Sequence, residues 1–215
     1  MQKLIIPRVL IYPTLSEDEM NLLIEEKGIL QKINHVNWEE YPYSPDVHFR
    51  ILHTGNEIWL KFFVQEKHIR AIETQTNGPV HKDSTVEFFI SLDGSNYYNF
   101  EFNCIGTRHL AYGSGRENRT RISPEIADKI RIKSTLGEKP FEEKSGDFNW
   151  EMMIQIPLEC FAFDALKSVN GKEATANFYK CGDDTSEPHF ISWNPIETAT
   201  PDYHRPEFFG EIIFE

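Results

Sequence analysis

The chain has 215 residues, with 22 Lys and Arg against 34 Asp and Glu, and a formal charge of −12. Hydrophobic residues make up 40% and aromatic residues 13%. That is enough to bury the core of one domain without disulfides or a structural metal, and it excludes extended disorder. The acidic balance argues against nucleic acid, whose phosphates call for clustered Lys and Arg, and against anionic membranes. The longest basic cluster is Arg116, Arg119 and Arg121. A neutral ligand, a cation or a basic partner stays open.

Cys104, Cys160 and Cys181 lie among apolar and aromatic residues without CxxC spacing, and read as small core hydrophobes. The opening Met1-Gln2-Lys3-Leu4-Ile5-Ile6-Pro7 lacks the long apolar region of a signal peptide. No segment approaches the roughly 20 apolar residues that span a bilayer. The expectation is a monomer without membrane insertion. It is cytoplasmic as given, or periplasmic or extracellular if a leader has been removed.

In chain order, residues 1–15 read as extended, with Pro7 and Pro13. Ser16-Glu17-Asp18-Glu19 forms a capping box, followed by Met20, Leu23 and Ile24 at helical spacing and a stop at Gly28. From Asp46 the period becomes 2, with strands at 47–53 and 57–64 around Thr54-Gly55-Asn56, and at 85–92 and 97–105 around Asp93-Gly94-Ser95-Asn96. Residues 113–121 read as a polar, glycine-containing loop, and 123–131 as a second short helix started by Ser123 and Pro124. A helical turn is expected within 157–166, and further strands at 150–156, 174–181, 189–194 and 208–214. Many short strands with few helices predict an all-β, antiparallel jelly-roll sandwich with one or two short peripheral helices. Residues 1–40 are expected to form an N-terminal extension, its helix packed on a sandwich of 41–215.

Each strand has an apolar side, such as Val86, Phe88, Ile90 and Leu92, or Tyr98, Phe100, Phe102 and Cys104. The other side is unusual. Asn99, Glu101 and Asn103 sit beside Glu87, with Trp59 and Lys61 as possible neighbours. Carboxylates and amides match the paired donors and acceptors of sugar hydroxyls, and an aromatic ring covers the apolar face of a pyranose. Such a face suits carbohydrate. Alternation alone also fits a merely solvated sheet face.

The stretch 77–90, ending in Asp83-Ser84-Thr85-Val86-Glu87-Phe88-Phe89-Ile90, weighs toward carbohydrate, as do Tyr97-Tyr98-Asn99-Phe100-Glu101-Phe102-Asn103 and Asn177-Phe178-Tyr179-Lys180-Cys181-Gly182-Asp183. Ser192-Trp193-Asn194-Pro195 and His204-Arg205-Pro206-Glu207-Phe208-Phe209-Gly210 complete the set. Over residues 40–215 the chain resembles the family 9 carbohydrate-binding modules, in their Bacteroidetes-type branch. The resemblance implies a jelly roll that binds a mono- or oligosaccharide without hydrolysing it, in the service of glycan breakdown. It makes Glu87, Asn99, Glu101 and Asn103 the hydroxyl-reading groups and Trp193 the later of two stacking tryptophans. The earlier tryptophan should precede Asp83, where this chain has Val80-His81-Lys82. Trp59 or His81 would then take its place. The family also carries structural calcium, for which Asp93 and Asp183-Asp184 are the nearest ligands; no other cofactor is implied.

Several residues admit two roles. Trp193 is either a stacking platform or a core anchor. Arg205 either reads hydroxyls with its fork or ties down Glu207. Lys180 and Asp183 flank a strand end, as ligand groups or as turn residues; Lys82 belongs with His81. Two alternatives to a binding module stay open: a glycoside hydrolase using Glu87 and Glu101, and a structural module that has lost its sugar.

Overall fold

The computed structural model describes residues 1–11 and 15–215; Pro13 of the extended opening lies outside the described residues. The chain runs through β1 (Lys3–Ile6), α1 (Glu17–Lys27), β2 (Ile29–Ile33), β3 (His35–Val36), β4 (Asp46–His53), β5 (Glu57–Ala71), β6 (Thr85–Ser91) and β7 (Tyr97–Asn103). It continues through β8 (Arg108–Gly113), β9 (Thr120–Arg121), α2 (Pro124–Ala127), β10 (Arg131–Ser134), β11 (Phe141–Pro157), β12 (Glu173–Cys181), β13 (Phe190–Ser192) and β14 (Gly210–Phe214). Two sheets form a sandwich. One has the order β1-β14-β12-β6-β7-β8-β9, with β13 paired to β12 and β3 to β13; the other is β10-β11-β5-β4-β2. Among the named strands every pairing is antiparallel except β1 with β14. Residues 1–40 supply β1, β2 and β3, so both sheets include strands from this segment.

The inner faces meet in an aromatic core. Phe178 of β12 stacks on Phe49 of β4 at 4.0 Å and on Phe88 of β6 at 4.9 Å. The outer faces are also covered. On the smaller sheet, α1 lays Ile24 against Leu52, Trp59 and Met153. Its capping box is complete: Glu19 N–H donates to Ser16 Oγ, and Ser16 N–H donates to the Glu19 carboxylate at 2.7 Å. On the larger sheet, the chain after β12 folds back and lays Ile196, Tyr203 and Phe209 over Phe89, Tyr97 and Tyr179. The central strands β6 and β7 are consequently buried on both faces along their whole length.

Several elements depart from the sequence expectation. β5 and β11 extend well past 57–64 and 150–156, because they pair with each other over Phe141–Pro157, through two register shifts. The helix expected over 123–131 stops after one turn. Arg131 must return to extended backbone so that β10 can pair with β11, opposite Gln155. The expected turn after Pro157 is a 3-10 turn over Leu158–Cys160. All three cysteines are free and buried.

Candidate sugar-binding site

The outer face of the larger sheet is not fully covered. Between the returning C-terminal segment and the loop joining β8 to β9 lies a concavity of about 580 Å³. Small-ligand sites span roughly 300–1,000 Å³. Its floor is built by strand register. Glu87 of β6 stands directly opposite Glu101 of β7, and Phe89 opposite Asn99. Because side chains alternate, these four share the outer face, while Phe88 and Phe100 point into the core.

The floor is held in shape by hydrogen bonds. Asn99 Nδ2 donates to Glu101 Oε1 at 2.8 Å. Asn99 Oδ1 in turn accepts from Arg119 Nε at 3.0 Å and Nη2 at 2.7 Å. The Arg119 guanidinium lies over the Tyr97 ring at 4.1 Å and donates to the carbonyls of Tyr97 and Gly115, each at 2.9 Å. One arginine thus ties the loop 113–119 to the sheet and orients the amide that orients Glu101. Glu87 accepts one hydrogen bond, from the Cys181 thiol at 3.2 Å.

Burial sets the electrostatics. It pushes the Glu87 carboxyl well above the usual range, and the neighbouring Glu101 adds to the shift. Burial likewise raises Asp183 to about 6. His204 is driven the other way, to about 3, first by burial and then by the charges of Arg119 and Arg116; its Nδ1 lies 2.9 Å from the Tyr97 hydroxyl.

The sign of the His204 shift gives a stability prediction. A His with a lowered folded pKa stabilises fully above its unfolded pKa, near 6.5, and that stability is lost as pH falls toward the folded value. Buried Glu87 and Asp183 act in the opposite direction. The contribution of His204 is therefore read as a difference between variants. Between about pH 7 and pH 5, wild type should lose about 2 kcal/mol more than His204→Asn in urea unfolding. Parallel pH profiles for the two proteins would contradict this.

The structure divides the expected site residues. Glu87, Asn99, Glu101 and His81 line the concavity, and Asp183 joins them. Trp193 does not: it is fully buried in the inter-sheet core, edge-on to Phe178 at 5.6 Å. Trp59 is buried beneath α1 on the opposite sheet, its Nε1 donating to Glu57 at 2.7 Å. Lys180 points inward and pairs with Glu66 of the other sheet at 2.8 Å. Asn103 shares the face of Glu101 but is drawn into a closed knot at the strand end. Its Nδ2 donates to Asp83 Oδ2 and to the Glu73 carbonyl, both at 2.9 Å. Arg205 takes its structural role, with Nε donating to Glu207 at 2.8 Å. Lys82 is exposed and paired with Asp184 at 3.3 Å, outside the concavity.

The aromatic wall is also different. Tyr41 and Phe190 flank the opening, packed edge-to-face at 4.8 Å. Trp38 stands behind Phe190 at 6.3 Å and is itself buried. The aromatic wall of the hollow is therefore a Tyr and a Phe with an indole behind them. Arg119 and His204 were missed as site residues. The basic cluster Arg116, Arg119, Arg121 in so acidic a chain was the available signal. Among the described residues no group of three or more His, Cys, Asp or Glu is arranged to hold a metal ion. Asp93 accepts from the amides of Ser95 and Asn96 in its own turn.

A two-sheet sandwich with an open polar and aromatic hollow on its outer face has the architecture of a small-ligand-binding module. The sequence profile of carbohydrate-binding family 9 matches residues 17–214, and the chain belongs to that family. A crystal structure from Bacteroides uniformis ATCC 8492, of a protein provisionally described as carbohydrate-binding, is similar throughout. It has 40% identity and a TM-score of 0.95, covering 100% of this chain and 99% of that one. Two structures of a family 9 module from Caldicellulosiruptor kristjanssonii share the fold at lower identity. The complex with glucose has 13% identity, a TM-score of 0.57 and coverage of 100% and 96%. The complex with cellotriose has 14%, 0.59, and coverage of 100% and 94%. No curated protein sequence matches the chain.

Proposed function

We propose that the concavity binds a mono- or oligosaccharide without cleaving it, and that the protein serves glycan breakdown by holding its substrate. The observation that carries this reading is the floor itself. Glu87, Asn99 and Glu101 are oriented by register and hydrogen bonds, yet they face an open hollow beside Tyr41 and Phe190. A pyranose laid against the aromatic wall would present its hydroxyls to two carboxyls and an amide. Family membership supports the reading, and so do the glucose and cellotriose bound by the Caldicellulosiruptor module.

Calorimetric titration with glucose and cello-oligosaccharides is the test. Hydrogen bonds to a charged group are worth about 1.5–3 kcal/mol, so Glu101→Ala should weaken binding by roughly 10- to 100-fold. A wild-type protein with no heat and no shift in melting temperature at millimolar sugar would refute the proposal. The raised Glu87 carboxyl beside a second acid is also the pattern of a glycosidase acid and its partner. Released reducing sugar that disappears in both Glu87→Gln and Glu101→Gln would establish hydrolysis instead.

A further inference from the structure

The charged groups of the concavity are unequally committed. Its arginines already have partners or face water. Arg119 is spent on Asn99, on backbone carbonyls and on the Tyr97 ring. Arg116 lies 3.6 Å from Asp202 at the exposed rim, and Arg121 is exposed. The acids differ. Among the described residues, no Lys, Arg or His forms an ion pair with Glu87, Glu101 or Asp183; the nearby buried Lys180 is turned into the core toward Glu66. Glu87 is only 2% exposed and Glu101 6%, and they stand opposite each other on adjacent strands. Each has one side-chain donor, a weak thiol for Glu87 and a neutral amide for Glu101.

Two facing carboxyls in a low-dielectric floor, with no directly ion-paired cation among the described residues, form a strong electrostatic demand for positive charge. A ligand can meet it. We infer that the preferred ligand of this hollow is a sugar bearing a free, protonated amino group, its ammonium seated between Glu87 and Glu101. This rests on the reading of the hollow as a sugar site and narrows it to a substrate class. An ammonium has three donors and no acceptor, which suits two carboxyls as a hydroxyl does not. An anionic sugar would meet the solvent-screened rim arginines and an Arg119 already committed to Asn99 and backbone carbonyls, and would bring its charge toward the acidic floor.

The experiment compares glucosamine, N-acetylglucosamine, glucose and glucuronate by calorimetry at about pH 6.5, where an ordinary amine is charged. Glucosamine should bind at least about tenfold more tightly than glucose. N-acetylglucosamine, which keeps the nitrogen but loses the charge, should forfeit that advantage. The glucosamine-to-glucose ratio should collapse toward unity in Glu87→Gln or Glu101→Gln, each checked for an intact melting transition. Glucose binding as tightly as glucosamine overturns this inference alone and leaves sugar binding standing. Glucuronate binding best, or a ratio untouched by both substitutions, also overturns it. Failure of all four sugars removes both readings.

Discussion

Replacing Lys180 by Met while leaving Glu66 in place should lower the unfolding free energy by about 3–5 kcal/mol. Both side chains are fully buried and lie 2.8 Å apart, one on β12 and one on β5, so the pair joins the two sheets through the core. Glu66 also accepts from Trp150 Nε1 at 2.8 Å, and Lys180 donates to the Cys181 carbonyl at 2.9 Å. His189 completes the network. Its Nε2 lies 2.8 Å from the lysine ammonium, which can only donate, so Nε2 must accept and the ring is neutral. Nδ1 then donates to the Glu187 carbonyl at 2.9 Å. Burial and the Lys180 charge accordingly hold His189 well below its usual pKa. Removing only the lysine strands a carboxylate in the core. Removing both charges, as in Lys180→Met with Glu66→Leu, should recover much of the loss, because most of the single-mutant cost is desolvation. A urea-unfolding double-mutant cycle measures this. Additive losses with no recovery would contradict the argument.

The second large effect is at Trp193. Trp193→Ala should cost about 3–5 kcal/mol of stability, while the protein that stays folded keeps its affinity for sugar. The indole fills the space between Phe178 and Gly210, and its Nε1 donates to Gln31 of β2 at 3.0 Å. A Cβ added at Gly210 would lie 2.5 Å from the ring, so the glycine is what lets β14 pass so close. Melting temperature and sugar affinity, measured on the same sample, decide the matter. An unchanged melting point with lost affinity would make Trp193 a platform after all.

These two residues show where alternation stops being informative. Period 2 placed the central strands and separated Glu87 and Glu101 from Phe88 and Phe100, because one face had to be the core. It said nothing about what covers the other face. When β6 and β7 are buried on both sides, a polar residue there can line a hollow, as Asn99 does, or close a knot, as Asn103 does. Trp193 and Lys180 sit in segments that looked ligand-facing, and only the sheet partner of each shows that it points inward. Short or polar strands such as β8 and β10 carried too few apolar residues to register. Arg119 lies in a loop, where no periodicity applies, and its importance comes from contacts with the backbone of Tyr97, Ala111 and Gly113 on the sheet. The aromatic wall likewise joins Tyr41 to Phe190, a pairing made by the fold alone.

The most direct test is a titration of isotope-labelled protein with cellobiose, and with glucosamine in parallel, followed through backbone, Asn side-chain and indole N–H resonances. Saturable shifts should gather on the Asn99 amide and on the backbone of Glu87, Glu101 and Ala111, with the Trp193 and Trp59 indoles unmoved. Shifts centred on either indole, or a spectrum unchanged by either sugar, would contradict a sugar site on the outer face of the larger sheet.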